Sequence, residues 1–262
     1  MKEKLTIIKI GGMIIDHPQR LHQLLDQLAA LAGKKVLIHG GGKLATELAE
    51  QMGVEQKMVD GRRITDTATL KIVTMVYAGF INKNLVASLN ARGCAAVGVS
   101  GVDGKLIQAH IRKHSTIDFG WVGDIDTVNI DLVTSLLTGQ YLPVIAPITS
   151  DTSGQLLNTN ADTIAAAIAV AMSRLFEVEL VYAFEHSGVL RHLQDPDSVI
   201  PQINYSLYQQ LLEEQVITGG MMPKLQNAFN TLSQGVEKVI IGDAVQLTDL
   251  LSGKVGTTII HE

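Results

Sequence analysis

Two lysines lie beside glycine-rich turns near opposite ends of this 262-residue chain. Lys9 precedes Gly11 and Gly12, and Lys224 follows Gly220. Glycine lacks a Cβ, so its backbone amides can close around an anion, and a helix that begins after the turn directs its positive dipole end there. We therefore expect these glycines to hold phosphate groups. Two such turns with two cations indicate phosphoryl transfer, in which a protein mainly positions and neutralises anions.

A third glycine-rich turn and one carboxylate lie between the two lysines. Residues 39–42 read His-Gly-Gly-Gly after an apolar run and before a predicted helix, so their amides also face a bound anion. The Walker A spacing is absent from the sequence, and His39 is more typical of a strand-end hydrogen bond than of a base. Asp162 leads into an almost wholly apolar helix, where a carboxylate needs cationic partners such as the two lysines.

Composition excludes several classes of protein. The net charge is -5 and Lys/Arg runs are absent, which argues against a nucleic-acid partner. Hydrophobic residues make up 46% of the chain, which excludes a disordered protein, and the single Cys94 excludes an internal disulfide. We find no signal region and expect no apolar run of membrane-spanning length, so the predicted location is the cytoplasm.

The elements that must position these residues alternate between apolar strands and amphipathic helices. This pattern predicts an α/β fold of three layers, α/β/α, with a mainly parallel open sheet and two lobes that enclose a cleft. One kinked helix or two helices are expected over residues 67–92, with Gly79 as the break point, and hairpins or loops over 104–114 and 187–193. The predicted strands cover residues 5–10, 35–39, 95–100, 141–148, 180–184, 238–241 and 257–260.

The ordered series of motifs resembles the amino acid kinase superfamily and, within it, the N-acetyl-L-glutamate kinase family. Any one of the motifs is weak, but the whole series runs in the family's order over essentially the entire chain. The matching segments are residues 9–12, 39–42, 61–65, 100–104, 121–124, 141–144, 158–162 and 217–224.

The resemblance implies that ATP phosphorylates the side-chain carboxylate of an N-acylated glutamate, the second step of arginine biosynthesis. It implies an acyl-amino-acid lobe with the dimer interface over residues 1–174 and a nucleotide lobe over 175–262. Lys9 and Lys224 would neutralise the phosphoryl group, and Asp162 would orient both lysines. The acylated amino acid would contact Gly41, Gly42, Arg63 and Asn158. The nucleotide would contact Glu185, Ser187, Gly188, Val216, Ile217 and Thr218. Mg²⁺ is expected on the ATP phosphates, without protein ligands.

This chemistry needs no general base. A glutamate side chain has a pKa of about 4.3, so the attacking carboxylate is already ionised at neutral pH. The obstacle is repulsion between this carboxylate and the polyphosphate, which amounts to roughly 4 kcal/mol for two unit charges about 4 Å apart at an effective dielectric constant near 20. Lysines, glycine amides and magnesium lower that repulsion.

Two departures from the family pattern carry further expectations. Phe184 and Glu185 stand where the family usually has Thr or Ser followed by Asp, so nucleotide contacts are expected to differ there. The first strand is predicted to begin near Leu5, with no room before it for the helix that interlocks the family's arginine-inhibited hexamers. We therefore expect a homodimer without arginine feedback.

Two alternatives stay open at this stage. The same loops would serve a kinase that acts on N-succinyl-L-glutamate or a carrier-linked aminoadipate, because residues 57–65 and the hairpin from 104 shape the acyl pocket without revealing its size. A catalytically silent sensor of nucleotide or amino acid is the alternative from another class. The retention of both Lys9 and Lys224 disfavours the sensor.

Overall fold

An eight-stranded sheet carries all seven predicted strands. The structure is a computed structural model that describes residues 2–59, 62–192, 194–217 and 221–261, apart from the side chain of Pro223. Its strands, in chain order, are β1 Lys4–Ile10, β2 Lys34–His39, β3 Met58–Val59, β4 Arg62–Arg63, β5 Ala96–Ser100, β6 Ile107–Ile111, β7 Gly123–Val128, β8 Leu142–Ala146, β9 Ile148–Ser150, β10 Leu156–Asn158, β11 Glu177–Phe184, β12 Gln202–Ile203, β13 Lys238–Asp243 and β14 Thr257–Ile259.

Helices occupy the segments between these strands. They are α1 Gly12–Ile15, α2 Pro18–Ala30, α3 Gly42–Gln51, α4 Thr67–Thr74, α5 Asn82–Asn90, α6 Ile130–Thr138, α7 Ala161–Met172, α8 Tyr205–Glu213, α9 Met221–Ser233 and α10 Leu247–Leu251. A π-helical segment, Met75–Ile81, joins α4 to α5, so the predicted break at Gly79 falls inside an irregular turn of one continuous helix.

The large sheet runs in the order β12-β14-β13-β11-β1-β2-β8-β5 and is mainly parallel, as predicted. The antiparallel pair is β13 with β14. A smaller sheet, β10-β9-β6-β7, contains the predicted excursion after residue 104 as an antiparallel pair, β6 with β7. The second excursion forms bends with an isolated bridge between Leu190 and Val199, and its Leu193 lies outside the described residues.

Alternate residues of the central strands enter two separate cores. In β1, Leu5 and Ile7 pack with α7, α8 and α9, whereas Ile8 and Ile10 pack on the other face with α2, α3 and the helix of residues 67–90. Because successive side chains of a strand point to opposite faces, burial on both faces requires an unbroken apolar run. This accounts for the sequence pattern and confirms the three-layer α/β/α fold.

The helix of residues 67–90 corrects one sequence expectation. Its 24 residues have a mean hydropathy of 1.3 in the most apolar window, long and apolar enough to span a membrane by length and composition. Core helices pass the same test. In the structure 44% of that window is buried, and Ile72, Val73 and Leu85 belong to the second core. We therefore interpret the segment as a core helix.

Candidate functional site

The register of β1 and β2 brings two of the glycine turns together. Ile10 lies opposite His39, so both parallel strands end at the same edge of the sheet. The Gly40 amide donates to the Ile10 carbonyl at 3.2 Å, and a Cβ added to Gly12 would lie 3.4 Å from the Gly42 nitrogen. The turns thus pack backbone against backbone. A ligand at this edge, where parallel sheets commonly bind ligands, meets amides of both turns.

A cavity of about 200 Å³ opens at this edge. It gathers predicted residues that are far apart in the chain and adds others that the sequence did not single out as site residues, among them Met58, Arg62 and Tyr77. Gly11 lies just outside the lining, as the N-cap of α1. The predicted residues that line the cavity are Lys9, Gly12, Gly41, Gly42, Arg63, Asn158 and Asp162.

Lys9 and Asp162 form an ion pair in the cavity. The Lys9 Nζ lies 2.6 Å from Asp162 Oδ1, and the two side chains are only 15% and 21% exposed. Asn160, the N-cap of α7, accepts hydrogen bonds from the amides of Asp162 and Thr163 at 2.8 and 3.1 Å and so fixes the first turn of α7. The carboxylate is therefore held on a rigid helix end, facing the end of β1.

The pKa of Asp162 lies below its usual range. Burial alone would raise this pKa, but the positive charges of Lys9, Lys224 and Arg62 together lower it. Asp162 is therefore ionised at neutral pH. The positive charges of Lys9 and Lys224, which lie near opposite ends of the chain, both lower the pKa of this carboxylate.

Lys224 approaches the site from α9. Its Nζ lies over the ring of Phe184, 4.7 Å from the ring centroid, at the end of β11. An ammonium group at this distance is attracted by the ring's negative face. Among the described residues, Lys224 does not belong to the cavity lining, although its charge reaches Asp162. The Phe184 departure from the family pattern thus gives Lys224 a contact that the sequence did not predict.

Arg63 supports the glycine turn of residues 39–42. Its side chain is buried, and its Nη2 donates to the Gly42 carbonyl at 2.7 Å and to Thr46 Oγ1 at 2.9 Å. Its Nη1 donates to Gln56 Oε1. Both N–H groups of Nη2 and one of Nη1 are therefore already used inside the protein. The guanidinium has few donors left for a ligand.

His39 has a structural role, because its ring is buried and hydrogen-bonded within the protein. Its side chain is fully buried, and burial lowers its pKa to about 4, so the ring is neutral at pH 7. The Nδ2 group of Asn82 donates to His39 Nε2 at 3.2 Å and to the Val144 carbonyl at 2.9 Å. The ring proton then lies on Nδ1 and is donated to the Gly40 carbonyl at 2.8 Å. The predicted hydrogen-bonding role is confirmed. The sequence analysis did not identify Asn82. The signal that could have identified it is a polar residue on the buried face of an apolar helix.

Asn158 reaches the cavity from the small sheet. Its backbone nitrogen donates to the Trp121 carbonyl at 2.9 Å, and its Nδ2 donates to Thr65 Oγ1 at 3.0 Å. Thr65 in turn donates to the Arg63 carbonyl at 2.9 Å. These bonds connect Asn158 to the arginine strand β4.

Part of the predicted nucleotide segment follows directly after β11, beside the end of β1. Glu185 lies 3.7 Å from His186 through Oε1 and Nε2. Ser187 leads to Gly188, which has a φ of +157° and where an added Cβ would lie 2.8 Å from Thr257 Oγ1. The tight turn at this position therefore requires glycine.

The remaining predicted nucleotide and phosphate residues precede α9. Val216 is half-buried, and Ile217 packs in the first core, so Ile217 can offer a ligand only its backbone. Thr218 and Gly220 lie outside the described residues. Within the described ranges, no group of three or more His, Cys, Asp or Glu side chains is arranged to hold a metal ion.

Gly41 is the glycine whose replacement should damage the site most. Its φ is +147°, and a Cβ would overlap Cδ1 of Ile81 in the adjacent helix. We expect Gly41→Ala to lower the free energy of unfolding by about 2–5 kcal/mol, from backbone strain plus overpacking. Urea denaturation measures this change. Gly33→Ala is the control, because Gly33 has a φ of +84° but no atom within 4 Å, so only about 1–2 kcal/mol of strain applies. Equal losses in both variants would contradict the packing explanation.

Comparison with known proteins identifies the family to which the chain belongs. Residues 4–243 match the amino acid kinase family. The chain therefore belongs to that family. This amino acid kinase is 52% identical over 241 residues to the acetylglutamate kinase of Bacteroides fragilis, with 92% of each chain covered. It is 49% identical over 261 residues to that of Cytophaga hutchinsonii, covering 98% of this chain and 99% of the relative.

Solved structures agree with the fold of this amino acid kinase. The structure of smu.665 from Streptococcus mutans superposes with a TM-score of 0.81 at 28% identity and covers 98% of both chains. Giardia carbamate kinase superposes with a TM-score of 0.73 at 14% identity over 99% of both chains, which supports the fold alone. The predicted fold class and family are both confirmed.

Proposed function

We propose that this amino acid kinase transfers the γ-phosphoryl group of ATP to the side-chain carboxylate of N-acetyl-L-glutamate. The observation that carries the proposal is the ion pair of Lys9 and Asp162 at the glycine-lined cavity, with the positive charge of Lys224 also favouring the ionised carboxylate. Relatives named acetylglutamate kinase, 49% to 52% identical over nearly the whole chain, support the choice of acceptor. The reaction would be the second step of arginine biosynthesis.

The transfer itself needs no proton removed. A γ-carboxylate oxygen of the substrate forms a bond to the γ-phosphorus of ATP while the bond to the bridging oxygen breaks, and ADP leaves. His39 is buried, neutral and hydrogen-bonded at both nitrogens, so it takes no part. The protein's task is electrostatic. Lys9 and Lys224 offset the charge of the transferred group. The carboxylate of Asp162 attracts both ammonium groups and so offsets the repulsion between them.

The remaining site residues keep their proposed roles. We assign Gly41, Gly42, Arg63 and Asn158 to the acylated amino acid, with Arg63 acting mainly through the turn that it holds. Residues 1–174 would form the lobe that binds this substrate, and residues 175–262 the nucleotide lobe. The assigned phosphate contacts are Gly11, Gly12 and Gly220. The assigned nucleotide contacts are Glu185, Ser187, Gly188, Val216, Ile217 and Thr218.

Mg²⁺ would arrive with ATP, bound to its phosphates. The protein groups that line the cavity are mostly amides and cations, and the carboxylate of Asp162 is already paired with Lys9. Such a donor set suits the anionic face of a magnesium–nucleotide complex better than the metal ion itself. The ion would supply further neutralisation of the phosphates.

We further propose a homodimer in the cytoplasm, where ATP is available. Met75 and Phe80 lie on the exposed side of the helix of residues 67–90, with 52% and 62% of their surface exposed. Neighbouring exposed apolar side chains on one helix are typical of a subunit interface. Light scattering should give twice the 28.2 kDa chain mass. A monomer at all concentrations would contradict this proposal.

A substrate panel tests the proposed function. Purified protein with Mg²⁺-ATP should release ADP in the presence of N-acetyl-L-glutamate, and hydroxylamine should trap the acyl phosphate. Glutamate without an acyl group should react far more slowly, because the acyl contacts are missing. Turnover of N-succinyl-L-glutamate but not of the acetyl compound would overturn the assigned substrate. Binding of ATP and amino acid without any turnover would favour the sensor.

A further inference from the structure

Arg62 is a cation that lines the cavity without a partner of its own in the described part of the chain. Its side chain is half-buried, and no hydrogen bond or ion pair to it occurs within residues 2–59, 62–192, 194–217 and 221–261. Burial lowers the pKa of its guanidinium, Arg112 lowers it further, and the carboxylates of Asp124 and Asp162 raise it. An arginine stays charged in such surroundings. A partly desolvated charge of this kind is costly unless an anion joins it.

The two nearby carboxylates are already paired. Asp124 lies 3.1 Å from Arg112, and Asp162 lies 2.6 Å from Lys9. Arg62 therefore acts on these carboxylates from a distance and does not form their close contact.

The region around Arg62 has an excess of positive charge. Among the described residues that line the cavity, three cationic side chains stand against the single carboxylate of Asp162, which leaves two positive charges in excess. The chain as a whole carries a net charge of -5, so the excess is local to the site. Such a concentration of charge attracts anions. The three cations are Lys9, Arg62 and Arg63.

Arg62 and Arg63 are adjacent on β4, so they point in opposite directions. The side chain of Arg63 points toward α3 and donates hydrogen bonds to Gly42, Thr46 and Gln56. Arg62 lines the cavity, within range of the charges of Asp162 and Asp124. The strand thus assigns one arginine to holding the glycine turn and leaves the other with donors for a ligand.

We propose that Arg62 binds a carboxylate of the acyl amino acid. The proposal rests on the proposed kinase function and adds a residue that determines substrate affinity. The planar guanidinium can hold a carboxylate through two parallel N–H···O bonds. The carboxylate has two possible sources: the α-carboxylate, which every N-acyl-glutamate carries, or a carboxylate on a charged acyl group such as succinyl.

The test compares Arg62→Gln with the parent enzyme in steady-state kinetics. We expect KM for the acyl-glutamate that supplies the bound carboxylate to rise about tenfold to hundredfold, the loss of one charge-assisted pair. KM for ATP should stay within about twofold. Arg62→Lys, which keeps the charge but not the fork, should recover part of the loss. Lys254→Gln is the control, because Lys254 lies beyond α10, outside the cavity lining, and its side chain is 73% exposed.

Two ligand arms identify the carboxylate. N-acetyl-L-isoglutamine lacks the α-carboxylate but keeps the acceptor group. If Arg62 holds the α-carboxylate, Arg62→Gln should raise KM for N-acetyl-L-glutamate but not for this amide. If Arg62 holds an acyl carboxylate, the same variant should raise KM for N-succinyl-L-glutamate alone.

Thermal unfolding separates binding from a structural role. Arg62→Gln removes a cation from a cluster of cations, so Tm of the substrate-free variant should equal or exceed that of the parent. A lower Tm, an unchanged KM for both acyl-glutamates, or a rise in KM for ATP instead would each overturn the proposal. If the parent itself phosphorylates no acyl-glutamate, the kinase function fails. An active parent with an unaffected Arg62→Gln refutes the Arg62 proposal alone.

Discussion

Replacing Lys9 with alanine should lower kcat about a hundredfold to a thousandfold, the cost of removing one preorganised charge from a transition state. KM for N-acetyl-L-glutamate should change little, because the ammonium group mainly meets the moving phosphoryl group. Lys224→Ala should give a similar loss. Stopped assays of ADP formation at saturating substrates measure both. Lys43→Ala is the control: Lys43 begins α3 beside the same glycine turn, but its side chain is 61% exposed and pairs with Glu47.

The double replacement sharpens this prediction. If Lys9 and Lys224 act on one phosphoryl group, the loss in Lys9→Ala/Lys224→Ala should be smaller than the product of the single losses, because residues that act as a unit are not additive. Fully multiplicative losses would indicate that the two lysines serve separate steps. A kcat that is unchanged in either single variant would remove that lysine from the proposed mechanism.

Asp162→Asn should have the second largest effect. It leaves Lys9, Lys224 and Arg62 with no nearby unpaired anion, so kcat should fall about tenfold to hundredfold as the lysines move apart. The free energy of unfolding at pH 7 should fall by about 1–3 kcal/mol, because a buried ion pair loses one partner. We therefore expect a larger loss of kcat from replacing either lysine than from replacing the carboxylate that positions them.

The pH dependence of this loss has a defined sign. Asp162 has a lowered pKa in the folded protein, so its stabilisation is fully present above the unfolded value of about 3.9 and is lost as pH falls through the folded value. The stability difference between parent and Asp162→Asn should therefore be constant from pH 7 to about pH 5 and shrink in more acidic solution. Urea denaturation at each pH measures it.

Asp131→Asn provides a matched control for the carboxylate. Asp131 lies in the first turn of α6, and its amide donates to the N-cap Asn129 at 3.0 Å, as the Asp162 amide does to Asn160. It is exposed, so its loss removes only a helix-dipole contribution of about 0.3–1 kcal/mol. If the two variants lost the same stability and activity, the ion pair with Lys9 would have no special role.

The sequence was sufficient for the framework because burial on both faces leaves a clear pattern. The run in β1 is apolar since Ile7 and Ile8 enter different cores, and this pattern predicts a parallel central strand. Lys9 interrupts the run at its end, and Asp162 begins an apolar helix. Both are polar residues at places where polarity is costly, so their pairing could be predicted from the sequence.

The contacts that were missed depend on the direction of individual side chains. The sequence does not predict that Arg63 contacts the glycine turn while Arg62 lines the cavity. The reason is that β4 has only two residues, both polar, and so lacks the hydrophobic alternation that identifies the buried face of a strand. The contact of Lys224 with Phe184 likewise depends on how α9 packs beside β11. The hydropathy of residues 67–90 does not by itself distinguish a membrane span from a core helix, and only the structure shows how much of the helix is buried.

A structure with ADP, Mg²⁺, aluminium fluoride and N-acetyl-L-glutamate bound tests the central claim most directly, because the fluoride complex takes the place of the transferred phosphoryl group. The account predicts that Nζ of Lys9 and Nζ of Lys224 both lie about 3 Å from the same fluoride complex, with Lys224 drawn away from the Phe184 ring. A complex in which Lys224 stays on Phe184 while Lys9 alone reaches the fluoride would contradict it.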